Sequence, residues 1–192
     1  MKKILLISIF ILISALSAQA NEIKRIFVGN ESAKISIIAF ESLTCSYCAK
    51  FHQDVYPLLK KEYLDTGLAK IEFRHFPLDI AAFNASKVAQ CKNDGNLEIL
   101  ESLYANQQKW VKGSSIEEAN INLQKFLSKE GFNIDFESCI NNKQIEDFVL
   151  NDRIDGAKNF KVNATPTIII NNEKFEKTLN YKNLKKALEK LI

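Results

Sequence analysis

The sequence predicts an α/β domain whose sheet-forming part is interrupted by a block of helices. Three observations carry this. The apolar run Ile35 to Phe40 leads into a C-x-x-C pair, Cys45 and Cys48, and then directly into helical periodicity. Ala69, Ile71 and Phe73 alternate with Lys70, Glu72 and Arg74, the pattern of a half-buried strand. Residues 78–159 then pass without a strand pattern, and the β-branched run Thr167 to Ile170 restores it.

Taken in order, Met1-Lys2-Lys3 precedes the apolar run Ile4 to Leu16, and small residues occupy the A-x-A positions at Ala18 and Ala20. This reads as a secretory signal peptide cleaved after Ala20. The competing reading is an uncleaved anchor, but the run falls short of the ~20 residues a spanning helix needs. Removing 20 of the 192 residues leaves 172, enough for one domain with its own core. Lys2 and Lys3 leave with the leader, so a net charge of +3 becomes +1. No Lys/Arg cluster offers an electrostatic footprint for nucleic acid. The mature chain reads as a single domain over 21–192, with its core at about 33–77 and 160–192 and its helical insert at about 78–159.

The nearly all-apolar strand Ile35 to Phe40 should be buried on both faces. Phe51, Val55, Leu58 and Leu59 then recur at helical spacing, with Pro57 expected to kink the helix and Gly67 to close it. Strand, helix and the strand at 69–74 form a βαβ unit whose right-handed crossover makes the strands parallel. In the insert, helices are expected over Asp79 to Asn93 and Asn96 to Trp110. A third should start at the capping box Ser115-x-x-Glu118 and end at Gly131, with one or two more between about 135 and 158. Pro166 opens the strand Thr167 to Ile170. Asn171-Asn172 turns the chain into a short strand near Phe175, and Tyr181 to Ile192 form a last amphipathic helix.

Cys45 and Cys48 carry the chemistry. A cysteine at the first turn of a helix meets unpaired backbone N–H groups and the positive end of the helix dipole, both of which favour a thiolate. The same spacing serves zinc and copper sites. A tetrahedral site here would need ligands from Cys91, Cys139, His52 or His75, and Met1 is the single methionine, so neither a metal nor a cofactor is expected. Four cysteines allow three pairings. Cys91 and Cys139 fall in the insert and are either free core thiols or, as an oxidising compartment favours, a structural disulfide. His52 and His75 read as surface or packing residues; Glu41, near the pair, could assist proton transfer to Cys48 if buried, but an exposed carboxylate is the commoner case and it is left outside the site.

The order strand, C-x-x-C, helix, strand, helical insert, Thr-Pro, strand, strand, helix resembles the thioredoxin fold with a helical insertion, as in the DsbA family of exported thiol–disulfide oxidoreductases. Phe40 to Phe51, Arg74 to Leu78 and Val162 to Thr167 carry the likeness. The resemblance implies that Cys45 is the surface nucleophile and Cys48 its buried partner. It implies that Pro166 is a cis-proline beside the pair and that Thr165 offers its backbone to an extended substrate. It further implies a periplasmic monomer that oxidises reduced secreted proteins and is reoxidised by a membrane quinone-linked, DsbB-like partner. Oxidases of this family that carry Pro-His between the cysteines differ from this chain, which carries Ser46-Tyr47. An isomerase or reductase of the same fold is the nearest rival. About fourteen residues between leader and first strand leave no room for the dimerisation module that family isomerases usually carry. A metal carrier or folding helper using the C-x-x-C is the rival from a different class.

Overall fold

The computed structural model describes residues 22–192; the leader expected at 1–20 and its cleavage point lie outside them. A five-stranded sheet runs in the order β1-β3-β2-β4-β5, formed by β1 (Ile26–Gly29), β2 (Ile35–Glu41), β3 (Ala69–His75), β4 (Thr167–Ile170) and β5 (Glu173–Lys174). β2 and β3 are parallel, Ile37 opposite Ile71, and the other pairings are antiparallel. β1 is an addition to the expected core. Its four residues, Ile-Phe-Val-Gly, are too short to show alternation, yet Ile26 pairs with Phe73 and is buried.

Strand periodicity divides the core between the two sheet faces. Ile35, Ile37 and Ala39 of β2, Ile71 and Phe73 of β3, and Ile168 and Ile170 of β4 join the larger cluster with the helices. Ile38, Phe40 and Ile169 point the other way, against Phe76 and Val162. On that second face a long helix crosses close to the sheet at Gly156. A Cβ there would lie 2.8 Å from the Phe40 ring, so a glycine is needed for the approach.

The helix after β2 is broken as its proline suggests. α1 (Ser46–Asp54) gives way to α2 (Tyr56–Leu59), and the chain continues through a π-helical turn at Lys60–Leu64. Leu58, expected on the apolar face, is exposed. The insert comprises α3 (Ile80–Gln90), α4 (Glu98–Ala105), α5 (Gln107–Trp110), α6 (Ile116–Lys129), α7 (Phe136–Ile140) and α8 (Lys143–Asn159). The helix expected over Asn96 to Trp110 is thus two. Asn106 separates them, its side-chain amide donating to the Ser102 carbonyl at 3.0 Å, a local bond that competes with helix continuation. Asp79 caps α3 through the Ala82 N–H and Ser115 caps α6 through the Glu118 N–H. The last helix, α9 (Tyr181–Leu188), stops short of the terminus.

Candidate active site

β2 delivers the chain to a tight turn in which the Cys45 N–H donates to the Ser42 carbonyl at 3.0 Å. Cys45 is the N-cap of α1, with extended φ/ψ, and its carbonyl accepts from the Cys48 and Ala49 N–H groups. A cysteine at this position puts sulfur where a serine or aspartate would put a capping oxygen. Cys45 is half-buried and Cys48 fully buried, both as free thiols. Across the cleft the Thr165–Pro166 bond is cis, and the Cys45 thiol donates to the Thr165 carbonyl at 3.3 Å.

The insert holds this turn in place. The Gln107 amide donates to the carbonyls of Leu43 (2.8 Å) and Cys45 (3.0 Å). The Thr44 hydroxyl donates to Asp79 at 2.6 Å, and the Ser42 hydroxyl accepts from the Leu78 N–H at 3.2 Å. Gln107 went unnoticed in the sequence because it lies 62 residues from Cys45 and carries no local pattern.

The two sulfurs are driven apart in acidity. The thiol of Cys48, donating to Cys45, does most to pull the latter from an ordinary 9.0 to about 5; partial burial opposes this, and the Thr165 hydroxyl and the Cys48 and Tyr47 N–H groups reinforce it. The thiol of Cys48 is pushed far above the usual range, first by burial, then by its bond to Cys45 and by the charge of Glu41. The leading cause at Cys45 is therefore its partner's thiol, ahead of the backbone amides that local reasoning puts first. The Thr165 hydroxyl is buried and finds no partner among the described residues; it can turn its O–H to the Cys45 sulfur when the thiolate forms.

The expectation for Glu41 is overturned. It is 3% exposed, at the end of β2, and its carboxylate lies 2.9 Å from His52 Nε2. The strand's alternation turns it to the same face as Ile37 and Ala39, under α1 and α4. His52, on α1, is likewise buried, its ring stacked on Tyr104 of α4 at 4.3 Å. His75 is buried as well, 3.2 Å from Gln90 Oε1, and burial lowers its pKa.

Cys91, at the end of α3, and Cys139, on α7, are bonded to each other with Cα atoms 5.5 Å apart. An apolar groove runs from Tyr47, 72% exposed, past Thr165 and Pro166 to Leu179 and Tyr181. Among the described residues no group of three or more His, Cys, Asp or Glu side chains is gathered for a metal ion, and no helix is long and apolar enough to cross a membrane.

A family model described as Thioredoxin matches residues 21–190. A Rickettsia typhi relative, provisionally named a protein-disulfide oxidoreductase, is 26% identical over 171 residues, which cover 86% of this chain and 61% of the relative. The chain thus spans about three fifths of that relative's length. Disulfide bond formation protein D of Bacillus subtilis is 25% identical over 174 residues, covering 85% of this chain and 75% of its own. Among solved structures, α-DsbA1 of Wolbachia pipientis matches with a TM-score of 0.77 and 28% identity over 87% of this chain and 90% of that one. The match to the family model over nearly the whole described chain, with the likeness to α-DsbA1, shows that the chain belongs to the thioredoxin family as a DsbA-like member.

Proposed function

We propose that this chain is an exported dithiol oxidase that introduces disulfides into newly secreted proteins through Cys45 and Cys48. The observation that carries the reading is the split pair at the start of α1: one half-buried sulfur held near pKa 5 beside the Thr165 carbonyl, and one buried sulfur held protonated. A substrate thiolate attacks Cys45 in the Cys45–Cys48 disulfide. The S–S bond breaks, Cys48 leaves with the electron pair and takes up a proton, and a mixed disulfide joins Cys45 to the substrate. A second substrate thiolate attacks the substrate sulfur and expels Cys45 as a thiolate. Two substrate thiols are thereby oxidised and the enzyme's disulfide is reduced by the same two electrons.

A stable Cys45 thiolate favours the reduced enzyme, which makes the disulfide form an oxidant. The backbone at Thr165 and Pro166 would pair with an extended substrate segment, its side chains entering the groove past Tyr47. Reoxidation falls to a membrane quinone-linked, DsbB-like partner, and the site of action is the periplasm. The Cys91–Cys139 bond is structural, stapling two helices of the insert. The Bacillus relative's name, a disulfide bond formation protein, supports the direction of transfer.

The reduction potential of the Cys45–Cys48 pair, set by equilibration with glutathione, tests this. An oxidase should lie well above the value of about −270 mV typical of thioredoxin. A value at or below it would make the chain a reductase and overturn the proposal.

A further inference from the structure

Two buried polar atoms beside the helical insert find no partner among the described residues: Nδ1 of His52 and the hydroxyl of Tyr56. Both side chains line one cavity of about 570 Å³ between α1, α2, α4 and α5. Its floor is the buried trio His52, Tyr56 and Tyr104, and Gln53, Glu101 and Gln108 on its rim are exposed, so the cavity opens to solvent. A cavity of this size with polar walls has room for water. The other nitrogen of the same imidazole, Nε2, lies 2.9 Å from Glu41, and Cys48 sits one turn before His52 on the same buried face of α1, its sulfur within reach of the Glu41 charge. One ring therefore joins a cavity that opens to solvent to the buried Glu41 carboxylate, away from the groove at Thr165.

We propose that His52 relays protons between this cavity and Glu41, and so sets the rate at which Cys48 gains or loses its proton. The inference rests on the reading of Cys45–Cys48 as the exchanging pair. When attack on Cys45 breaks the disulfide, Cys48 leaves as a thiolate in a site that penalises charge. Its proton comes from His52 Nε2 by way of the Glu41 carboxylate, which takes it up and passes it on. His52 Nδ1 then accepts a proton from cavity water, so one proton enters for each Cys48 expelled. During reoxidation Cys48 must ionise, and the same proton leaves by the reverse path. The titratable groups facing the ring are Glu41 from β2, Cys48 on its own helix, Tyr56 from α2 and Tyr104 from α4. Phe51 of α1 and Phe73 of β3 are apolar contacts, and Lys60 and Glu101 stand along the cavity wall. Burial pushes both tyrosines above their ordinary range, so they stay neutral and take no part in the exchange.

The test is rapid-mixing oxidation of a reduced dithiol peptide by the disulfide form of the full chain, across pH, for wild type, His52→Gln and His52→Ala. Glutamine keeps a donor to Glu41 but cannot accept a proton at one end while releasing it at the other. His52→Gln should slow the reaction on the order of 10²-fold, the low end of what a placed proton donor contributes, and alter its pH profile. Cys45 alkylation in the reduced variant serves as the control for an intact helix start. Added imidazole should restore most of the lost rate in His52→Ala by occupying the space the ring leaves. A His52→Gln rate and pH profile matching wild type overturns the relay, as does a folded His52→Ala that imidazole does not rescue. If His52→Ala does not fold, His52→Gln decides. A wild-type chain that exchanges no dithiol overturns the proposed function and the relay with it; an active wild type matched by His52→Gln overturns the relay alone.

Discussion

Acidifying the reduced protein is the sharpest probe of the Cys45 environment. The thiol sits at about 5 instead of 9.0, chiefly through the Cys48 hydrogen bond. At about pH 6 some nine-tenths of Cys45 is then thiolate, against about one part in a thousand for an ordinary thiol. That is a gain of about 10³-fold in reactive fraction. Intrinsic nucleophilicity falls with basicity, and four pKa units cost on the order of 10²-fold. Alkylation by iodoacetamide at about pH 6 should therefore be about tenfold faster than that of an unstructured thiol. The shape of the profile is more telling. Between about pH 6 and 8 the Cys45 rate should be nearly flat, while a free thiol gains about tenfold per pH unit.

Stability should follow the same titration. The folded pKa lies below the unfolded one, so the thiolate stabilises the reduced fold fully above pH 9.0, loses that contribution as pH falls, and contributes nothing below about 5. At about pH 7 two pKa units separate the pH from the folded value, nominally ~3 kcal/mol; solvent screening of a half-exposed sulfur reduces this to about 1–2 kcal/mol. The disulfide form has no such thiolate, so the denaturation midpoints of the two forms should move relative to each other between about pH 5 and 9. Ultraviolet thiolate absorbance gives the titration directly. A midpoint near that of a free thiol would refute the electrostatic account.

Three further outcomes are expected. Cys48→Ser should leave Cys45 reactive but trap mixed disulfides with substrate, visible as a mass increase of the intact chain; Cys48 alkylating as fast as Cys45 would contradict its complete burial. The double substitution Cys91→Ala/Cys139→Ala opens a loop with a sequence separation of 48. Loop-closure entropy sets that loss at ~4 kcal/mol, a fall of roughly 10 °C in melting temperature, and calorimetry that finds no fall excludes a structural role. Replacing Ser46-Tyr47 with Pro-His adds a positive charge beside the thiolate where neither native residue carries one at neutral pH. It should lower the Cys45 pKa and raise the reduction potential by ~30 mV for each pKa unit; if both stay unchanged, Thr165 becomes the controlling residue.

Short-range pattern along the chain encodes the frame. Two-residue alternation in Ala69 to Arg74, the apolar run Ile35 to Phe40, and 3.6-residue periodicity with caps at Asp79 and Ser115 were enough for the α/β frame, its parallel pair and its helical insert. They also set Cys45 at the mouth of a helix, because strand end and helix start are adjacent in the chain. The remaining features depend on tertiary contacts, because the partners come from distant segments. β1 is too short to show a period and forms because β3 has a free edge to pair with. Which of three cysteine pairings holds depends on α3 and α7 packing together, far apart along the chain. Gln107 reaches the active-site turn only because α5 folds back over it. Glu41 shows the limit most plainly. A carboxylate at a strand end reads as solvated until a second helix, α4, covers it, and its charge bears on Cys48 only because burial removes the water that would screen it.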